Sequence, residues 1–334
     1  MTIREFNGAD MTAKRFHQEL LPAAQPAVFR GLLAEWPLVR AGVEGPEALF
    51  GYLRRFDRGQ PVRAMLAPAR VNGRFFYNED ISGFNFRSDP VKIGSALDFL
   101  LASVNDERPS AFAVQSVPVW NNLTGLDREN RMPLLPEGVE PRVWIGNAVT
   151  VAAHFDPSEN LACVVSGRRR FTLFPPDQVA NLYPGPFELN PAGPIISMVD
   201  FDAPDLERHP GFAAAMQAAT VVDLQPGDVL YIPYLWWHHV RSVERVNMLV
   251  NYWWTPPTLP HCHPVEAMMH AMLALNTAPE PHRAAWRSIF DHYVFGVDGP
   301  PGTHLPPERR GIQGEVSEDM ARGLRRNLAQ TLSR

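Results

Sequence analysis

Three regimes of hydrophobic patterning follow one another along the chain. In the first, to about residue 109, helical and extended spacings mix: the pattern predicts a helix near residues 10–20, an extended run in PAVFRGLL, and a second helix around Pro46 to Phe56. The segment RVNGRFFYN then sets Asn72-Gly73 between apolar runs, the pair that a type I′ hairpin turn favours because both positions need positive φ. A helix over about Gly94 to Val104 is expected next, with Ser95 as its cap.

From about Ala111 to Pro256 short β-rich runs succeed one another: AFAVQSV, VWIGNAVTVAAHF, LACVVSG, RRFTLFPP, TVVDLQPGDVLYIP, HHVRSV and NMLVNYWW. Strands at that density, punctuated by Gly and Pro, predict a sandwich or barrel and not alternating β-α units. Beyond Pro260 the spacing becomes helical in HPVEAMMHAMLALN, HRAAWRSIFDHYVF and EVSEDMARGLRRNLAQTL. There Met268, Met269, Met272 and Trp286 recur at helical intervals and are expected to pack, not to touch a cofactor. The chain so divides into an N-terminal α/β extension over 1–109, a β core over 110–258 and a helical region over 259–334.

Composition narrows the setting. The 33 prolines are spread among the short runs and not gathered into a linker, as strands joined by turns require. Two cysteines, Cys163 and Cys262, in 334 residues fit a reduced cytoplasmic protein whose core is large enough to need no disulfides. Charges interrupt the first twenty residues and no segment reaches about eighteen consecutive apolar residues, so neither a signal peptide nor a membrane span is expected. A formal net charge of −5 without a basic block gives nucleic acid no electrostatic footprint. Of 31 cationic residues only Lys14 and Lys92 are lysine, which weakens any inference from an arginine standing where a relative has lysine.

Candidate chemistry lies in the β core. Side chains alternate along a strand, so AAHFDPSEN puts His154 and Asp156 on one face, where an imidazole and a carboxylate can grip one ion. Such a pair alone arises often by chance and would ordinarily be a surface ion pair. The second half is QPGDVLYIPYLWWHHV, an apolar strand ending in two tryptophans and two histidines. Parity sets Trp236 and His238 on one side and Trp237 and His239 on the other; one histidine can join the first pair, and parity does not choose which. Two histidines and one carboxylate with three open coordination positions form the facial triad of non-haem iron(II) oxygenases.

The stretches HFDPSEN, SGRRRFTLFPPDQ, QPGDVLYIPYLWWHHV and VNYWW, in this order over residues 110–256, resemble the JmjC-type and cupin-like hydroxylases. Within that group the likeness is closest to the asparaginyl hydroxylase of the hypoxia-inducible factor. The resemblance implies a mainly β fold with helices, a double-stranded β-helix or jelly roll, whose mouth holds iron(II) and the co-substrate 2-oxoglutarate. The metal ligands it implies are His154, Asp156 and His238, with His239 a neighbour. Arg169, fifteen residues after His154, stands where the family has the lysine that receives the distal carboxylate of 2-oxoglutarate, and shares inward parity with Phe171 and Leu173. The family's hydroxyl partner lies three residues before the histidine, at Val151 here; Thr150 is one residue off, a shift that reverses a strand side chain. Asn160, Asn251, Gln115 and Trp253 complete the co-substrate neighbourhood, and Ala113 replaces a tyrosine.

The implied reaction couples oxidative decarboxylation of 2-oxoglutarate to hydroxylation of an unactivated C–H bond. A protein or peptide side chain is the leading substrate class; a small molecule is the enzymatic alternative, and peptide binding without turnover the non-enzymatic one. The resemblance also implies a homodimer built through the C-terminal helices. His261 and His263 flank Cys262 in LPHCHPVE, but with no fourth ligand they read as a loop entering a helix and not as a second metal site.

Overall fold

Every residue of the strand Glu159–Ser166 is buried, and its nearly continuous apolar sequence reflects cover on both faces. The structure, a computed structural model, describes residues 3–191, 193–255 and 263–333, and the counts below refer to these. Residues 1–255 form one compact unit. Its larger sheet has nine strands in the spatial order β1 (Arg4–Asn7), β2 (Ala27–Arg30), β12 (Val229–Ile232), β9 (Glu159–Ser166), β14 (Asn247–Trp254), β7 (Pro141–Gly146), β6 (Ala111–Pro118), β3 (Pro61–Ala67) and β5 (Arg87–Lys92). Its smaller sheet is ordered β11 (Thr220–Leu224), β10 (Arg169–Phe174), β13 (Trp237–Ser242), β8 (Thr150–His154) and β4 (Arg74–Phe75). Pairing is antiparallel except at β1–β2 and β4–β8. Residues 1–109 thus supply strands to both sheets.

The two faces of β9 define the layers. Ala162 and Val164 point between the sheets, where with Leu230 and Leu249 they pack on Phe171, Leu173 and Val240 of the smaller sheet. Leu161, Cys163 and Val165 point the other way, into a cluster with Phe16, Leu38, Phe50 and Leu97 from the helical segments. Each Leu, Val or Phe removed from water in this way contributes about 1.5–3 kcal/mol. The result is the jelly-roll sandwich flanked by helices that the strand density and the motifs predict.

Local expectations meet mixed outcomes. A helix the patterning does not reveal, α1 (Pro37–Glu44), follows Trp36 without a side-chain cap. It lies so close to β9 that a Cβ on Gly42 would sit 2.4 Å from the Val165 carbonyl oxygen. The expected helices α2 (Pro46–Arg54) and α3 (Ile93–Ala102) are present. However, Lys92 precedes α3 without a side-chain cap bond and Ser95 lies inside the first turn, so it does not cap the helix. Asn72 and Gly73 do adopt φ of 49° and 80°. They form no hairpin, because a short 3-10 turn, Ala69–Val71, precedes them and β4 leaves to pair in parallel with β8. Their left-handed backbone presses the chain onto Ala148, whose carbonyl oxygen lies 2.3 Å from where a Gly73 Cβ would be.

Residues 256–334 form a second compact unit. It contains α4 (Pro264–Leu275), α5 (Glu280–Tyr293) and α6 (Glu318–Leu332), where helical spacing predicts them. The expected packing of their apolar residues is not found within the chain: among the described residues of this unit only Gly302 and Ala321 are buried, while Met268, Met269, Met272 and Trp286 are exposed. His261 and Cys262 lie outside the described residues, and His263 is the N-cap of α4. No helix among the described residues is long and apolar enough to cross a membrane.

Candidate metal centre

The smaller sheet brings the two histidine motifs together by pairing β8 with β13, which sets His154 opposite His238. Their rings are 4.2 Å apart between centroids. Nδ1 of His154 lies 2.9 Å from the Ala152 carbonyl and Nδ1 of His238 lies 3.1 Å from the Trp236 carbonyl. A carbonyl oxygen can only accept, so each Nδ1 carries the proton and each Nε2 keeps its lone pair for an ion. Asp156 follows the end of β8, with Oδ2 3.6 Å from Nε2 of His238, buried and without a hydrogen-bond partner. One ligand atom from each of the three side chains lies within 4.8 Å of the others.

The electrostatics suit a cation. Burial, then the neighbouring His154, pushes the His238 imidazole down to about 4, so it is neutral and able to ligate at physiological pH. A buried carboxylate oxygen with no donor is costly unless a proton or a metal reaches it. Two imidazoles and one carboxylate fit a divalent first-row ion such as iron(II). His239 takes no part: its ring stacks on Phe201 at 4.3 Å between centroids and 14° between planes, on the opposite face of β13. Burial, then Arg241 and Arg74, pushes His239 down to about 3.

The two ligand-bearing loops are tied to each other. Leu235, at a left-handed φ of 62°, donates its N–H to the Asp156 carbonyl at 3.1 Å. The Tyr231 hydroxyl donates to the buried Glu159 carboxylate at 2.7 Å, which joins β12 to the start of β9. Glu159 was not singled out in the sequence, where it is one more acid after HFDPS.

The triad opens on a cavity of about 100 Å³ between the sheets. Trp144, Ala162, Phe171 and Leu249 give it apolar walls. Arg169 lies among them, only 6% exposed, its Nε buried and without a partner. No carboxylate pairs with it among the described residues. Burial alone pushes its guanidinium down to about 10. The flanking arginines differ: Arg168 pairs with Glu244 and Arg170 with Asp223 on the surface.

Asn160, Asn251, Gln115 and Trp253 also border the cavity. Asn251 accepts from the Trp144 indole at 2.7 Å and donates toward Asn160 at 3.5 Å, while the Trp253 Nε1–H is buried and unpartnered. Ala113 belongs instead to an apolar cluster with Met65 and Phe75.

Thr150 sits beside a β-bulge. It borders the cavity, but the register slips between His238↔His154 and Val240↔Val151, and Thr150 pairs with Arg241 and Arg74. Residues opposite one another in a sheet share a face. Both arginines reach outward to acids, Arg241 to Asp202 and Arg74 to Asp200. The bulge leaves Val151 packed between the sheets with Phe171 and Val240, while Thr150 stays on the border of the cavity. A segment the motifs did not mark completes the mouth: Ile196 bridges to His154, the Ser197 N–H donates to the Ala153 carbonyl at 2.7 Å, and Pro191 and Pro194 line the cavity.

A family model described as a cupin-like domain matches residues 13–259. HSPB1-associated protein 1 of Homo sapiens is 37% identical over 288 residues, which is 80% of this chain and 56% of the relative. The lysine-specific demethylase JMJ31 of Arabidopsis thaliana is 28% identical over 284 residues, 75% of this chain and 50% of the relative. Jumonji C domain-containing protein 5 of Drosophila melanogaster is 26% identical over 252 residues, 72% of this chain and 57% of the relative. The chain spans about half the length of these curated relatives. With a triad of metal-ligand geometry at the mouth of a two-sheet sandwich, and a family match over most of its length, the chain belongs to the cupin-like domain family.

Proposed function

We propose that the protein is an iron(II)- and 2-oxoglutarate-dependent oxygenase that hydroxylates a protein or peptide side chain. The observation that carries this reading is the guanidinium of Arg169, buried without an ion-pair partner among the described residues in the same apolar cavity as the His154–Asp156–His238 triad, whose Asp156 Oδ2 has no hydrogen-bond partner. A buried cation without an anion is expensive, and a site that keeps one is built to receive an anion. Iron bound by the triad would supply the oxidising chemistry, driven by decarboxylation of 2-oxoglutarate.

The chain's own residues bind and exclude. Arg169 receives the distal carboxylate through paired N–H donors, a geometry that guanidinium and carboxylate share. Asn160 and Asn251, already bonded to each other and to Trp144, stiffen the neighbouring wall with Gln115 and Trp253, and Thr150, one residue from the family's hydroxyl position, borders the same cavity. The apolar walls keep water from the reacting carbon.

The relatives' names, HSPB1-associated protein and lysine-specific demethylase, support a polypeptide substrate. The bare helices of residues 263–333 support a homodimer, and the free, buried Cys163 supports a reduced cytoplasmic setting. The test is iron-dependent release of succinate from 2-oxoglutarate, followed by mass spectrometry of cell proteins for a single added oxygen atom. Failure of the manganese-loaded protein to bind 2-oxoglutarate overturns the reading.

A further inference from the structure

We infer that Arg142 selects substrates carrying an acidic side chain, at a subsite on the larger sheet beside the cavity that holds Arg169; this rests on the oxygenase reading above. Along β7, Val143 and Ile145 belong to the cluster under the helices, whereas Trp144 lines the cavity. Arg142, two residues before Trp144, therefore faces between the sheets and sits across from Asn251 of β14. Its guanidinium carbon lies 5.9 Å from the Trp253 ring centroid, and Nη1 donates to the Ser116 carbonyl at 3.3 Å and hydroxyl at 3.1 Å. No carboxylate pairs with it among the described residues, and its Nε and Nη2 have no acceptor there. Arg54, Arg74, Arg168, Arg170 and Arg241, by contrast, are each matched to an acid.

The contact with Ser116 has a local cost that points the same way. The register of β6 against β7 slips between Val114 and Val117, and Ser116 holds a φ of 54°, a left-handed conformation that residues with a Cβ disfavour. Bulges re-aim side chains, and this one sets Gln115 on the cavity wall. The Gln115 amide makes no hydrogen bond to the protein among the described residues, and the Trp253 Nε1–H is buried and unpartnered. A cation with N–H groups to spare, an amide and an unpartnered indole N–H thus lie on one face of the larger sheet. They are the donors a carboxylate requires. Arg169, on the smaller sheet, already answers the co-substrate's distal carboxylate, so the anion met by Arg142 belongs to the substrate.

The experiment is a positional-scanning library of synthetic peptides applied to manganese-loaded protein, with and without 2-oxoglutarate. Wild type is compared with Arg142→Ala, Arg142→Lys and Arg142→Glu. Wild type should retain peptides with Asp or Glu over their Asn or Gln counterparts. Arg142→Ala should weaken the best acidic peptide at least about tenfold, as expected for a lost hydrogen bond to a charged group. Arg142→Lys should keep part of the preference and Arg142→Glu should shift it to Lys and Arg.

Affinity for 2-oxoglutarate, which also reports that each variant is folded, should stay within about twofold of wild type. Equal retention of acidic peptides by wild type and Arg142→Ala, or a library from which wild type retains nothing, overturns the inference. An equal loss of 2-oxoglutarate affinity in Arg142→Ala also overturns it, since Arg142 would then serve the co-substrate. Absence of 2-oxoglutarate binding to wild type sinks the oxygenase reading instead, and the library still reports on Arg142.

Discussion

Replacing Arg169 with methionine should make the metal-free protein more stable and its co-substrate affinity weaker at the same time. The guanidinium is buried with its Nε unpartnered, and burial pushes it from its ordinary value down to about 10. At about 1.4 kcal/mol per pH unit, holding that charge in the empty cavity costs roughly 3 kcal/mol at neutral pH, where the group remains charged. Methionine keeps much of the aliphatic stem, so imperfect filling returns about 1 kcal/mol of that relief, and a net gain of about 1–2 kcal/mol is expected.

Binding should move the opposite way. A 2-oxoglutarate carboxylate left buried without its cation loses about 3–5 kcal/mol, at least about a hundredfold in affinity. Urea unfolding of the metal-free protein reads the first effect, and calorimetry of 2-oxoglutarate on manganese-loaded protein reads the second. Arg168→Ala, which removes an exposed arginine paired with Glu244, should change neither by more than about 1 kcal/mol. If Arg169→Met lost stability, or bound 2-oxoglutarate as wild type does, the guanidinium would be a structural residue and the argument would fail.

The remaining predictions are simpler to read. His154→Ala and His238→Ala should each abolish iron(II) binding with the fold retained by circular dichroism, while His239→Ala, which removes a ring stacked on Phe201, should keep it; calorimetry giving the reverse order for the two adjacent histidines refutes the ligand assignment. Sedimentation at micromolar concentration should show the full chain as a homodimer and residues 1–260 as a monomer, and a monomeric full chain counts directly against assembly through the C-terminal helices. Gly42→Ala should destabilise by about 1–3 kcal/mol despite alanine's better helix propensity, because its Cβ meets the Val165 carbonyl oxygen and neither backbone can yield; a urea midpoint at or above wild type contradicts that packing.

The strands and the candidate metal ligands were legible because both obey short-range periodicity. His154 and Asp156 are two residues apart, and the alternation that predicts one shared face survives in the structure. The choice of His238 over His239 needed the resemblance, and the opposite faces of β13 agree with it. What escaped depends on chain segments far apart in sequence. The helix at Pro37 exists because β9 offers a groove for Gly42, and nothing near Trp36 announces it. The turn at Asn72-Gly73 was read correctly as backbone and wrongly as a hairpin, since the partner of β4 is β8, about 75 residues later. The face of Thr150 follows from a bulge, and one inserted residue is invisible to a period-two count.

The unit formed by residues 256–334 holds three helices and yet, among its described residues, hides almost nothing from water; Leu273 and Phe295 are 81% and 71% exposed. Proteases and chaperones recognise exposed apolar side chains, and an uncovered helix of this kind presents them as an unfolded chain does. The cell's quality-control machinery would then judge this protein by whether that surface has found its cover.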